Sequence, residues 1–355
     1  MTDQSKAYRG TRILVIAASF VIIIWGIYQA QSVLILFLVS CFLAVIGTVP
    51  VLWMEQKGIP SVPAVLIVVA AMVTLLLSIG VVVGASLNSF SNALPFYQSR
   101  IHDMLLAFKS EMAERGIVIT DEVLLGYVNP GAVMNLTASL FTSLSSVLSN
   151  TLLILFTVMF ILLEASSFPI KLRSILENPK AVFPQFSSFV NDIKRYMVIK
   201  TLLNLMGGVL VWAWLSILGI DFPVMWGFLA FLLHFIPSLG SIIAALPVIL
   251  LALIQRSEGY ALLTAAGYLV IGTILGNIIE PRIMGRRLGM STLVVFVSLI
   301  FWGYLLGMVG ALLCVPLTMT VKLACEASED TQWIAVLLGP EIPLEVISSD
   351  KKKEK

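Results

Sequence analysis

Apolar residues run through this chain in long unbroken blocks, and polar residues fall between the blocks instead of alternating within them. Blocks of about 17 to 30 residues suit helices in a bilayer, whose core takes about 20 helical residues to cross. A membrane β-barrel would alternate apolar and polar positions over about ten residues. The pattern predicts an all-α, polytopic helical membrane protein. It has about six full spans plus two broken helical hairpins, about eight hydrophobic segments in all.

The first two blocks, about 13–28 and 32–52, are separated only by the polar turn at Gln29, Gln31 and Ser32, which predicts a tight hairpin. A third block, about 62–87, is entered through Gly58, Pro60 and Pro63, residues that favour helix boundaries. Residues 88–146 read as an extramembrane amphipathic insert. Within it Ile101, Met104, Leu105, Phe108 and Met112 recur at helical spacing opposite His102, Lys109 and Glu111. Such a helix suits either the membrane interface or a neighbouring subunit. A fourth block covers about 147–163, and a fifth about 201–218. Residues 1–11 then form an N-terminus, 12–338 a single membrane transport domain and 339–355 a tail.

Charge adds orientation. Between 167 and 200, Lys171, Arg173, Lys180, Lys194, Arg195 and Lys200 face only Glu177 and Asp192. By the positive-inside rule this basic loop is cytoplasmic. Four crossings from a basic N-terminus reach the same side. Both termini are therefore expected in the cytoplasm, with the chain in a bacterial inner membrane. The first block follows Lys6, Arg9 and Arg12 like a signal peptide. It lacks a clear small-residue cleavage site and is expected to be retained.

Two later stretches do not fit simple crossings. Residues 222–236 and 240–254 are each about fifteen long, too short to span comfortably, and are separated by Pro237, Ser238, Leu239 and Gly240. Proline cannot continue the first helix, serine can cap the next, and glycine tolerates the turn. A helix break at membrane depth survives only where protein or water satisfies the freed backbone, so a cavity is expected there. After a full span at about 260–279, the last block, about 292–321, is interrupted by Gly303, Gly307 and Gly310. It is too long for one untilted span, and either a second hairpin or two crossings returns the tail inside.

Composition agrees: 59% of the 355 residues are hydrophobic and 12% charged, with a mean hydropathy of +1.01. A soluble domain is roughly half apolar and a quarter charged. The formal net charge of +2, with basic residues scattered apart from Lys351, Lys352 and Lys353, leaves no nucleic-acid footprint. Cys41, Cys314 and Cys325 lack metal-ligand spacing and read as packing residues. Neither a metal nor another cofactor is expected. Two histidines, with no HExxH and no GxSxG motif, give no basis for an enzyme. The absence of GxxxxGK[ST] excludes the usual ATP-binding loop.

Broken helices on either side of a span are the architecture of carriers, in which exposed helix ends meet a solute near the midplane. Pro237, Ser238, Gly240, Asn204, Thr273, Asn277 and Ser298 are therefore the candidate substrate pathway, alongside Ser241. Their neutral polar groups suit an uncharged, hydroxylated solute, although Ser, Thr and Asn also serve helix contacts with no ligand. Gly303, Gly307 and Gly310 are candidate hairpin glycines, and glycine equally allows close helix packing. His234, three positions before Pro237, is a candidate proton site or a neutral histidine bonded to a backbone carbonyl. Glu164, Asp221 and Glu280 all sit at span ends. The want of a mid-span acid weighs against ion antiport. A scaffold role would leave the break at Pro237–Gly240 without a purpose.

The segments FIPSLGSIIAALP (Phe235–Pro247) and GNIIEPRIMGRRLGMSTLVVFVSLIFWGYLLGMVGALLCVPLT (Gly276–Thr318) closely resemble the autoinducer-2 exporter family, also described as predicted permeases. Leu162–Glu164, and Tyr196 with Lys200, extend the likeness across about 10–338. The resemblance implies export of the quorum-sensing furanone autoinducer-2 and an effect on biofilm formation. Other branches resemble sodium(lithium)/proton antiporters. It further implies a homopentamer with elevator-like movement of the hairpin region, and it favours Glu280, Pro281 and Arg282 as a cytoplasmic gate. The partners expected are thus a small-molecule solute, the lipid bilayer and further copies of the chain.

Overall fold

In a bilayer, backbone polar groups must be satisfied within the protein, so long apolar blocks become helices. The computed structural model describes residues 2–115, 150–165, 167, 168, 171, 174, 179–237, 239–284, 290–326 and 331–339. The chain begins with α1 (Thr2–Gln29), α2 (Gln31–Gln56), α3 (Ser61–Glu114) and α4 (Thr151–Ala165). It continues through α5 (Pro179–Leu218), α6 (Pro223–Leu233), α7 (Gly240–Gln255) and α8 (Glu258–Gly272). A π-helix (Thr273–Ile279) leads into α9 (Glu280–Met284), followed by α10 (Thr292–Leu312), α11 (Cys314–Glu326) and α12 (Gln332–Leu337).

By length and composition Gln31–Gln56, Ser61–Met104, Val190–Leu218, Glu258–Ile283 and Thr292–Leu312 could each cross a membrane, although the last is broken at Gly307. Phe20, Trp25, Leu152, Ile217 and Tyr304 are all more than half exposed. So much outward apolar surface is what lipid contact requires and a water-soluble fold avoids. The chain is a polytopic helical membrane protein.

Burial divides between two cores. Ala44 and Val51 of α2, Val65 and Val68 of α3, and Val158 and Leu162 of α4 form the smaller one. The larger joins α5, α6, α7, α8, α10 and α11 to the middle of α3, around Trp226, Leu229, Leu233, Val248 and Leu251. The α6–α7 hairpin is its centre. It lies flush on α5 because Gly208 and Gly227 bring the two backbones together: a Cβ on either would stand only 2.7 or 2.8 Å from the other's carbonyl oxygen. Small residues let membrane helices approach in this way.

Several boundaries differ from the sequence reading. Helix α3 continues through Pro95 to Glu114, so the periodic apolar positions at 101–112 extend the third span's own helix. Residues 116–149 of the insert and 340–355 of the tail lie outside the described residues. The basic stretch before the fifth span is helical from Pro179 onward. Proline suits the first turn, and Lys and Arg are good helix formers. Pro281 does not end its helix, which continues to Met284. In a regular helix its ring would strike the carbonyl four residues back; here those residues lie in the wider π turn, which opens that space.

The last apolar block is a hairpin. At Gly307 (φ 61°, ψ −145°) the chain leaves helical geometry inside α10, and beyond it Gly310 presses on the carbonyl oxygen of Trp302. Gly303 faces Ala311 across the turn. In a straight helix residues 302 and 310 would stand about 12 Å apart, so the chain has doubled back.

Candidate functional site

The arms of the first hairpin set the depth of the site. Helix α6 has 11 residues and α7 has 16, about 16 and 24 Å long, both short of a bilayer core of about 30 Å. Their junction is pinned to α5. With its amide oriented to match donors and acceptors, Asn204 accepts from the Phe235 N–H at 3.0 Å and donates to the Lys200 carbonyl at 3.3 Å. The junction thus sits beside residues 204–207, about 17 to 21 Å along α5 from its Leu218 end. That is well within a membrane's thickness.

Beside it opens a cavity of about 730 Å³, within the range of small-molecule sites. Its polar lining comes from α5, the α6–α7 hairpin, Tyr268 of α8, the π-helix and α9. Helix α5 gives Tyr196, Lys200 and Asn204; the junction gives His234 and Pro237; α7 gives Ser241; the π-helix and the start of α9 give Thr273, Asn277 and Glu280. Ile242, Ala245, Leu246, Leu269 and Val295 add apolar walls. Three elements that are far apart in sequence converge here because the larger core packs them against one another.

Six of the residues singled out from the sequence as pathway or proton candidates, Pro237, Asn204, Ser241, Thr273, Asn277 and His234, therefore share one cavity with Glu280 of the gate trio. Others lie elsewhere. Gly240 is fully packed, with a Cβ placed only 1.8 Å from the Leu233 carbonyl oxygen, and it does not line the cavity. Ser298 is buried in α10, away from the lining. Ser238 lies outside the described residues. Gly303, Gly307 and Gly310 belong to the second hairpin. His234 directs Nδ1 to the Ala230 carbonyl oxygen, the backbone partnership open to a neutral ring, which leaves Nε2 as an acceptor.

The charged pair is the feature that sequence spacing missed. Lys200 Nζ donates to both carboxylate oxygens of Glu280, at 2.7 and 2.8 Å. The side chains are 8% and 24% exposed, respectively. Glu280 is separated from Lys200 by 80 positions. In the sequence it reads as a boundary acid beside Arg282, yet Arg282 is exposed and the carboxylate turns inward to Lys200. One signal was available: Tyr196 and Lys200, four apart on a helix, share a face.

A second polar cluster closes the opposite end of α5. Tyr97 of α3 donates to Asp221 Oδ2 at 2.7 Å, the Asp221 N–H donates to Gln255 Oε1 at 3.0 Å, and Arg256 donates to the Gly219 carbonyl at 3.1 Å. It fixes the entry of the hairpin, about 27 Å along α5 from Lys200. Among the described residues no group of three or more His, Cys, Asp or Glu is placed to hold a metal ion.

A helix break facing a polar cavity within an apolar bundle is the architecture of a membrane transporter. The chain belongs to the AI-2E transporter family: the profile described as "AI-2E family transporter" matches residues 17–330. It is 40% identical to the AI-2 transport protein TqsA of Escherichia coli K12, covering 93% of this chain and 96% of that one. It is 36% identical to YhhT of the same organism, a proposed transport protein, over 94% and 96% of the two chains. A proposed transport protein of Haemophilus influenzae is 33% identical over 92% and 96%.

Proposed function

We propose that this chain exports a small, uncharged, hydroxylated solute, of which autoinducer-2 is the first candidate, across the bacterial inner membrane. The observation that carries the reading is the cavity at the helix break. Asn277, Thr273 and Ser241 offer neutral donors and acceptors, and the Lys200–Glu280 pair adds no net charge. Similarity to the E. coli AI-2 transport protein over nearly the whole chain supports the solute. Assembly as a homopentamer, with elevator-like movement of the hairpin region and both termini in the cytoplasm, belongs to the same proposal. So does a gating role for Glu280 with Arg282.

A second reading, sodium(lithium)/proton antiport, draws on one observation: the Glu280 carboxylate, near the end of its span, lies in the cavity wall. The test is internal against external autoinducer-2 in a producing strain with the gene deleted and then restored. Sodium-driven proton movement in membrane vesicles is measured alongside. Internal accumulation on deletion, reversed by restoration, supports export. Unchanged signal with sodium-driven proton movement moves the assignment to antiport.

A further inference from the structure

We infer that Lys200 is a resident counter-cation: its ammonium occupies the place on Glu280 that a coupling sodium ion or proton would take, so solute crosses without an obligatory ion partner. The inference rests on the reading of the cavity as a solute site.

The geometry is specific. A carboxylate in the wall of a membrane cavity must be neutralised, and where no fixed cation is supplied it takes a proton or a metal ion. That requirement is one physical origin of ion coupling. Here Lys200 bonds to both oxygens of Glu280 and is itself almost fully buried. Among the described residues Glu280 is the one acid in the cavity lining. Among the described residues, the groups around the pair leave Lys200 alone in this role. Tyr196 lines the same wall of α5, Cys314 of α11 is buried nearby, and His234 commits Nδ1 to Ala230. Arg282, on the same element as Glu280, is exposed.

With the pair closed, the empty site carries no net charge. It meets no larger electrostatic barrier to reorientation than a site loaded with an uncharged solute. The protein then works as a facilitator, whose empty site returns freely. Removing Lys200 strips Glu280 of its partner and makes it an ion site.

The test uses purified full-length protein in liposomes, with autoinducer-2 as solute, and in detergent for thermal unfolding. Wild-type flux is expected to persist when sodium and proton gradients are dissipated. Sodium chloride should not raise the wild-type unfolding temperature relative to choline chloride. Lys200→Met is expected to lose most flux and to be stabilised specifically by sodium. Lys200→Met/Glu280→Gln, which replaces the pair with neutral groups and guards against a folding defect, should lose the sodium stabilisation.

Sodium-driven proton movement by the wild type that Lys200→Met abolishes would overturn the inference, because Lys200 would then be exchanging its own proton. So would wild-type solute flux that stops when the gradients are dissipated, or a folded Lys200→Met protein indifferent to sodium. If no variant carries solute while the sodium stabilisation appears only in Lys200→Met, the counter-cation assignment stands and the solute reading falls.

Discussion

The α6–α7 hairpin and the hairpin inside α10 both turn the chain back between apolar arms, yet different constraints fix the two turns. In the first, the reversal involves His234–Pro237 and Leu239 among the described residues. Phe235 and Ile236 bond back to Leu232 and Leu233, and Gly240 bonds to Ile236. None of the described residues of this turn has a positive φ. What the turn demands is room, since Gly240 packs directly on the Leu233 backbone. In the second, one residue makes the reversal: Gly307, with φ 61° and ψ −145°. There the demand is first a dihedral angle, and then room at Gly310. A distributed turn leaves a polar break beside the cavity; a single-residue turn closes on itself and leaves none.

Gly240→Ala should produce the largest effect. Its Cβ would stand 1.8 Å from a backbone oxygen, and no rotamer change relieves a backbone overlap. The loss is expected at about 3 kcal/mol or more, at the upper end of overpacking costs. It would be read as a large drop in unfolding temperature in mild detergent. Lost flux in any Gly240 variant therefore reports folding before it reports transport. Gly310→Ala is the matching change in the second hairpin, with the Cβ 2.0 Å from the Trp302 carbonyl oxygen, and should cost about 2 to 3 kcal/mol. If Gly310→Ala proves milder than 1 kcal/mol, the second hairpin is not closed as described.

Gly307→Ala breaks the other kind of constraint. The nearest atom to its Cβ is Gln31 Nε2 at 3.7 Å, so nothing collides, but the backbone angles are nearly glycine-only and cost about 1 to 3 kcal/mol. Gly307→Asn should be no better than Gly307→Ala. Asparagine tolerates the left-handed helical region near ψ +47°, and here ψ is −145°. A marked rescue by asparagine in thermal unfolding would mean that the turn relaxes to another geometry.

The contrast also explains what the sequence made legible. Proline and glycine punctuate Pro237–Gly240 closely enough to mark a break, and the short arms on either side follow from counting apolar residues. Gly307 sits among Leu306, Met308 and Val309, so the sequence marked an interruption while leaving open a hairpin or two crossings. Only the backbone angles decide between them. Lys200 was hidden for another reason: beside Lys194 and Arg195 it counts as boundary charge, and its pairing with a residue 80 positions away has no local signature. The π-helix at 273–279 is likewise silent in composition, though it turns Thr273, Asn277 and Glu280 toward one cavity.

The smallest expected effect, at Trp302, emerges from comparing one tryptophan from each hairpin. Trp226 Nε1 donates to the Asp221 carbonyl at 3.1 Å and Trp302 Nε1 to Thr318 Oγ1 at 3.0 Å. Trp226 is 1% exposed at the centre of the larger core, so Trp226→Phe loses a hydrogen bond and leaves a void, for an expected cost of about 2 to 3 kcal/mol. Trp302 is only partly buried, and its partner has an alternative, because a threonine hydroxyl in a helix can turn to the carbonyl four residues back. Trp302→Phe should therefore cost about 0.6 to 1 kcal/mol, the usual worth of a hydrogen bond between membrane helices. Trp302→Phe/Thr318→Val should cost little more than Trp302→Phe alone, since both changes remove one shared bond. If the two losses simply add in thermal unfolding, that bond does not hold the arms together, and the second hairpin depends on Gly307 and Gly310 alone.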